Sequence, residues 1–298
     1  MTGLRFERML PDEFDPAVCL DYLERSPLEC LYEADPRGVN RLLRLDGRLV
    51  LIRFDWSAPG RLGIERLAGD SLLEEDGPEL LRYAAEWFDL DRDLRPFYRM
   101  AAEDALLGPL AERFYGLRLI GVPDLFEALC WAIVGQQVNL TFAYTLKKRL
   151  AEAYGESLQW NGRTYRLFPG PERMAAAEGE ELTGLQLTRN KARAIRETAE
   201  WLASGRISRE RLAGLSGEEA ERELTAIRGV GPWTAQYVRM RCLRDLTAVP
   251  YGDVGLQNAV KALTGMDRKP TLPELRELFV RWPGWESYAV FYLWRALY

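Results

Sequence analysis

The sequence predicts an α+β protein: an N-terminal antiparallel sheet with helices, then an almost wholly helical core. Two observations carry this. Asp46-Gly47 lies between Arg41–Leu45 and Arg48–Phe54, two runs that alternate apolar and polar residues. Asp-Gly between such runs is a strong hairpin signal, because the tight turn needs positive φ at both positions. From about Asp91 onward the apolar spacing changes to the helical period, punctuated by cap residues.

The elements follow in order. Leu4–Met9 and Leu62–Leu67 read as further strands, and Pro16–Arg25 and Pro78–Leu90 as helices. Asp124 is an N-cap, and Glu127 three residues later suggests a capping box. Gly135-Gln136-Gln137 ends that helix and starts another. Trp160–Pro171 is turn-rich, with Asn161-Gly162 and Pro169-Gly170, and reads as a small excursion between helices. Helical segments follow at Met174–Glu178, Glu180–Leu185, Arg189–Gly205, Ser208–Leu215 and Ser216–Ile227, the last opened by a Ser216/Glu219 capping box. Pro232 suits the first turn of the next helix. From Leu272 the chain is helical and aromatic: Phe279, Trp282, Trp285, Tyr288, Phe291, Tyr292, Trp294 and Tyr298.

Composition narrows the function. The 298 residues suffice for two or three small domains. No run of about eighteen apolar residues suggests a membrane span. The N-terminus is too polar for a secretion signal, so a cytoplasmic protein is expected. The four Cys lack CxxC spacing and His is absent, which leaves no candidate metal or iron–sulfur set and predicts reduced thiols. The lack of His also excludes Ser-His-Asp and Cys-His catalysis. Net charge is −5, but unevenly spread. Residues 1–120 hold 16 Lys+Arg against 24 Asp+Glu, and residues 121–298 hold 24 against 21. Phosphate binding follows the local field rather than the total.

The most informative stretch is Leu224–Asp253. It reads as helix, Gly229-Val230-Gly231 turn, helix, then a loop presenting Asp253. A turn this tight lets backbone N–H groups at a helix start bind phosphate without side-chain charge. A lone carboxylate just beyond it suggests chemistry at a cationic transition state. The alternative for Asp253 is that it caps the helix expected at Val254–Leu263.

Leu224–Val238 resembles the helix-hairpin-helix element of DNA repair glycosylases. VPYGDVGLQNAV resembles their Gly/Pro-rich loop with its single Asp, and AIVGQQVNLTFAYTL and WESYAVFYLWRALY match further segments in order. The region Phe126–Tyr298 is similar to AlkA-type 3-methyladenine DNA glycosylases, whose subfamily also carries an α+β domain in front. The resemblance implies a helix-hairpin-helix glycosylase core and double-stranded DNA with damaged bases as partner. The division expected is 1–90 as the mixed domain, 91–122 with 246–298 as the domain of the Asp loop, and 123–245 as the hairpin domain. Nothing in the sequence demands more than a monomer.

The resemblance also implies roles. Asp253 would be catalytic, stabilising an oxocarbenium ion and positioning water. Trp233 stands where bifunctional relatives place a Schiff-base Lys, so a monofunctional hydrolase is implied; the nearest amine, Lys261, lies beyond Asp253. Trp233, Tyr237, Trp294 and Tyr22 would line the pocket for the extruded base. Gln136 and Gln137 stand where the family wedges the duplex, although the AlkA pattern is apolar where this chain has Gln137. The backbone of Gly229, Val230 and Gly231, with Thr234, would anchor phosphate. No cofactor is implied, beyond a monovalent cation at the hairpin carbonyls when DNA is bound. Arg189, Lys191, Arg193, Arg196, Arg239 and Arg241 are candidate DNA contacts; a solvated charged face is the alternative. Three other readings stay open: an oxidised-purine glycosylase, a non-catalytic damage binder, and a hairpin module with no DNA role.

Overall fold

The computed structural model describes residues 4–297; Tyr298 and the first three residues lie outside it. Strands β1 (Arg5–Met9), β2 (Tyr32–Asp35), β3 (Gly38–Leu45), β4 (Arg48–Asp55) and β5 (Arg61–Gly69) form one antiparallel sheet in the order β1-β5-β4-β3-β2. The β3–β4 turn is Asp46-Gly47, with φ of 44° and 78°, the twin positive values that the dipeptide predicted. Helix α1 (Pro16–Leu23) precedes β2, and α2 (Gly77–Phe88) follows the sheet. The predicted strands and helices are thus present, and β2 is an addition at the sheet edge.

Thirteen further helices carry the rest of the described chain. They are α3 (Arg95–Ala102), α4 (Gly108–Arg113), α5 (Leu125–Gly135), α6 (Leu140–Tyr154), α7 (Pro171–Ala175), α8 (Gly179–Gly184), α9 (Arg189–Ala203), α10 (Arg209–Ala213), α11 (Gly217–Thr225), α12 (Pro232–Arg241), α13 (Val254–Thr264), α14 (Leu272–Phe279) and α15 (Glu286–Arg295). The excursion at Trp160 proves to be a β-hairpin, β6 (Ser157–Trp160) with β7 (Arg163–Arg166). Its Asn161-Gly162 turn again has both φ positive, at 47° and 73°. The hairpin packs Tyr165, Leu158 and Trp160 against Leu42 and Leu51 of the sheet.

Two larger cores organise the molecule. One runs from the sheet through Trp87, Phe88 and Phe97 to Phe279, Trp282, Tyr288, Phe291 and Tyr292, and is rich in rings. The other joins α5, α6, α9, α11 and α12 through aliphatic residues such as Leu129, Ile133, Ile195, Leu224 and Val238. Buried charges tie the halves. Asp124 caps α5 through the Glu127 N–H, but the Glu127 side chain does not close a capping box. It instead accepts from Arg41 of β3 at 2.6 Å and lies 3.6 Å from Lys147, which also pairs with Glu29 at 2.9 Å. A buried cation competes better for that carboxylate than a backbone N–H does. The four cysteines are unbridged, as the spacing predicted.

Candidate active site and nucleic-acid interface

The hairpin joins α11 to α12. Capping at Ser216 and Glu219 starts α11, and Pro232 occupies the first turn of α12. Gly229 is obligatory between them. Its φ is +87°, and a Cβ there would lie 2.5 Å from the Cβ of Ala194 on α9. Val230 plugs the aliphatic core. The Val230 N–H already donates to the Ile227 carbonyl at 3.0 Å, so it is not one of the free phosphate donors that the sequence reading assigned. Among the described residues, the N–H groups of Gly229 and Gly231 have no protein acceptor, and the first turn of α12 adds its own orphan donors.

Gln136 locks this turn to α5. Its amide donates to the Gly229 carbonyl and to Thr234 Oγ1, both at 2.9 Å. Thr234 is buried and its hydroxyl is engaged by Gln136, so it does not face outward as the phosphate anchor expected from the sequence. Gln137, the next residue, is exposed with φ of 55°. The two glutamines therefore diverge: one is structural and the other projects at the rim.

The loop after α12 is stitched down on both sides. Gln236 accepts from the Val249 N–H at 3.0 Å, Arg239 pairs with Asp245, and Ser287 of α15 donates to the carbonyls of Asp245 and Ala248 at 2.6 and 2.8 Å. This aims Asp253, which is the N-cap of α13: Oδ1 accepts from the Leu256 N–H at 2.7 Å. The capping alternative and the functional one are thus compatible. Two indoles also donate to the same carboxylate, Trp294 to Oδ1 at 2.9 Å and Trp233 to Oδ2 at 3.1 Å. Three donors fix its orientation. Gly255 makes room, since a Cβ there would sit 2.9 Å from Oδ1 and 3.6 Å from the Trp294 ring.

These elements enclose an open cleft of about 770 Å³. Its rim is Gln136–Asn139, Gly231–Thr234 and Gly252–Gly255. Trp233, Tyr237 and Trp294 form a continuous aromatic wall, with ring centroids 5.8 and 6.2 Å apart. Trp233 and Tyr237 are stacked on each other, so they offer one face rather than two plates around a guest. Tyr22 also lines the cleft, packed on Phe291 at 4.7 Å. Burial pushes the Tyr237 hydroxyl upward, which keeps it neutral.

The basic candidates separate. Arg239 and Arg241 are buried and do not face outward. Arg239 is held by Asp245 and Glu221, while Arg241 donates to the Ile120 carbonyl at 2.6 Å and to the hydroxyls of Tyr22 and Tyr237 at 2.9 and 3.2 Å. Lys191 is also buried; its amine donates to the Val134 carbonyl at 2.8 Å, and desolvation holds it below the usual lysine range. Arg196 leans toward Glu200. Arg189 and Arg193 remain exposed on α9. Lys261 does not line the cleft. The sequence reading missed Arg25, Trp131 and Gly255 as lining residues and misplaced Arg241. The four-residue spacing of Tyr237 and Arg241 was the available signal.

Comparison with known proteins gives the family. Residues 130–284 match the HhH-GPD superfamily of base excision DNA repair proteins, and residues 45–129 match the N-terminal domain of 8-oxoguanine DNA glycosylase. The chain is 46% identical to a DNA-3-methyladenine glycosylase of Bacillus subtilis, over 97% of this chain and 96% of that one. A 3-methyladenine DNA-glycosylase structure from Archaeoglobus fulgidus superposes with a TM-score of 0.86 at 25% identity, covering 97% of each chain. A Clostridium acetobutylicum 8-oxoguanine glycosylase/lyase in complex with double-stranded DNA shares the fold, with a TM-score of 0.74, 19% identity, and 98% and 96% coverage. With its hairpin, Asp loop and mixed N-terminal domain in place, the chain belongs to the DNA-3-methyladenine glycosylase family of the helix-hairpin-helix base excision repair superfamily.

Proposed function

We propose that the chain hydrolyses the N-glycosidic bond of alkylated purines, of the 3-methyladenine type, extruded from duplex DNA. The observation that carries this is the Asp253 carboxylate fixed at the rim of the aromatic cleft, next to the hairpin. The C1′–N bond breaks with its electron pair going to the base. Alkylation at N3 or N7 already makes the base a good leaving group, so no general acid is needed. Positive charge develops on the sugar, where Asp253 stabilises it. Water then adds to C1′, its proton passes to Asp253 and on to solvent, and an abasic site remains. Trp233, Tyr237, Trp294 and Tyr22 stack on or close over the electron-poor base.

The N–H groups of Gly229 and Gly231 hold backbone phosphate, with Arg189 and Arg193 nearby as charge. Gln137 is the wedge candidate. The carbonyls of Ile227 and Gly229 each accept one hydrogen bond and retain a second lone pair. A monovalent cation bound with DNA would use those lone pairs and be structural.

The N-terminal domain match gives the oxidised-purine reading its one specific support. Against it, no lysine among the described residues lines the cleft to attack C1′. The test is release of free 3-methyladenine from methylated duplex DNA, with borohydride added in parallel. Release without a trapped covalent complex is expected. Trapping on 8-oxoguanine DNA, with no methylated base released, would reverse the assignment.

A further inference from the structure

The deep end of the cleft is not aromatic alone. Tyr22, Arg25, Trp131, Tyr237 and Arg241 line both the open cleft and a small adjoining cavity of about 30 Å³, so they form the partition between the two. Two of these five are guanidinium groups. On the cavity's far side the cations are paired, Arg41 with Glu127 and Lys147 with Glu29. Arg25 and Arg241 have no carboxylate partner among the described residues. Arg25 donates Nη1 to the Tyr22 carbonyl at 2.8 Å and lies 3.9 Å from the Tyr22 ring centroid. Its Nε and Nη2, and Nη2 of Arg241, donate to no protein acceptor among the described residues. Arg241 is buried, and burying a guanidinium without a counter-charge is costly; Arg25 is half-buried at the cleft side. Unspent donors in a binding cleft are the mark of a site that expects acceptors from its guest.

We infer that Arg25, supported by Arg241, is a specificity-determining residue that selects purines bearing a carbonyl at position 6 over those bearing an amino group. The inference rests on the glycosylase reading above and extends it to the lesion. Arginine only donates. A base whose sugar end lies at Asp253 presents its far edge to this partition. In guanine-derived lesions position 6 of that edge is an oxygen, which accepts; in adenine-derived lesions it is an amino group, which donates, so a guanidinium placed against position 6 finds an acceptor there only in the former. A site built to hydrogen-bond one group discriminates strongly against a guest that lacks it.

The test compares 7-methylguanine with 3-methyladenine, released from the same methylated duplex by wild type, Arg25→Met and Arg25→Lys under single turnover. Both lesions are cationic in DNA. Removing a positive charge therefore acts on both alike and cancels in the ratio of their rates. The 7-methylguanine to 3-methyladenine ratio is expected to fall about tenfold or more in Arg25→Met. Arg25→Lys keeps the charge without the fork and should fall between. It also serves if the Met variant melts below assay temperature. A ratio unchanged within about twofold in the folded variants overturns the inference, even if total activity drops, because that is what a merely structural arginine would give. Release of neither base by wild type would instead sink the glycosylase reading itself.

Discussion

The two larger cores of this protein supply different halves of one site, by different means. The core that carries the hairpin is aliphatic, and its Gly229-Val230-Gly231 turn presents backbone rather than side chains: Val230 and Thr234 point inward. The core that carries α15 and packs beneath the Asp loop is aromatic, and it offers the site side chains. Tyr288, Tyr292 and Trp282 fix the scaffold, and Trp294 reaches the carboxylate. Under the proposed function, the difference accounts for how a chain of net charge −5 serves nucleic acid. Gripping phosphate through N–H groups needs geometry, not Lys or Arg. Chemistry at C1′ needs one carboxylate placed by many weak contacts.

Breaking the aromatic side should cost most. Asp89 is buried at the end of α2 and accepts from Tyr288 at 2.6 Å, Arg92 at 2.8 Å and Arg244. Burial alone would raise its carboxyl, but Arg244 and Arg92 outweigh that and hold it below the ordinary range. Asp89→Asn should destabilise by about 3–5 kcal/mol, read by denaturant unfolding. Asn is tolerated at its φ of 50°, so the loss reports charge rather than backbone strain. Because the folded-state pKa is depressed, the stabilisation is full above the unfolded value near 4 and is lost as pH falls through the folded one. Melting curves for wild type and variant should therefore begin to approach each other below about pH 4 and merge only once pH has fallen past the depressed folded-state value. Curves that stay parallel would remove this role.

The aliphatic side should fail differently. Gly229→Ala meets both the positive φ and Ala194, at an expected cost of about 1–3 kcal/mol. Affinity for an abasic-site duplex should drop, while single-turnover excision at saturating enzyme changes far less. The reverse pattern would mean that the hairpin does more than grip.

The smallest effect sharpens the boundary between the halves. Trp233 belongs to the hairpin helix but donates to Asp253. Trp233→Phe keeps a ring and removes one donor, worth about 1 kcal/mol. Excision should slow roughly fivefold with duplex affinity unchanged. Weaker binding at an unchanged rate would place the indole on the gripping side alone.

Much of this was legible in the sequence, for physical reasons. Asp46-Gly47 dictates a turn that few other residues permit, and Gly229-Val230-Gly231 with Pro232 dictates the hairpin. Asn161-Gly162 carried the same message for β6–β7, but four-residue strands were too short to show alternation. Strand β2 has no alternation either, since Tyr32–Asp35 are all half-buried. The site divides along the same line. Asp253, Trp233 and Tyr237 are close in sequence, and Trp294 is named by the resemblance. Arg25 and Gly255 acquire meaning only when α1, α12 and α15 are brought together. Arg239 and Arg241 looked like a basic surface because sequence shows charge but not the side to which a helix turns it.

The most direct test is single-turnover release of 3-methyladenine from methylated duplex DNA by wild type and Asp253→Asn side by side, with binding to an abasic-site duplex measured on both. Asn still caps α13, so the fold should persist. The expected result is excision slowed about 10²–10³-fold with binding retained. Full excision by the Asn variant would contradict the assignment of the chemistry to Asp253.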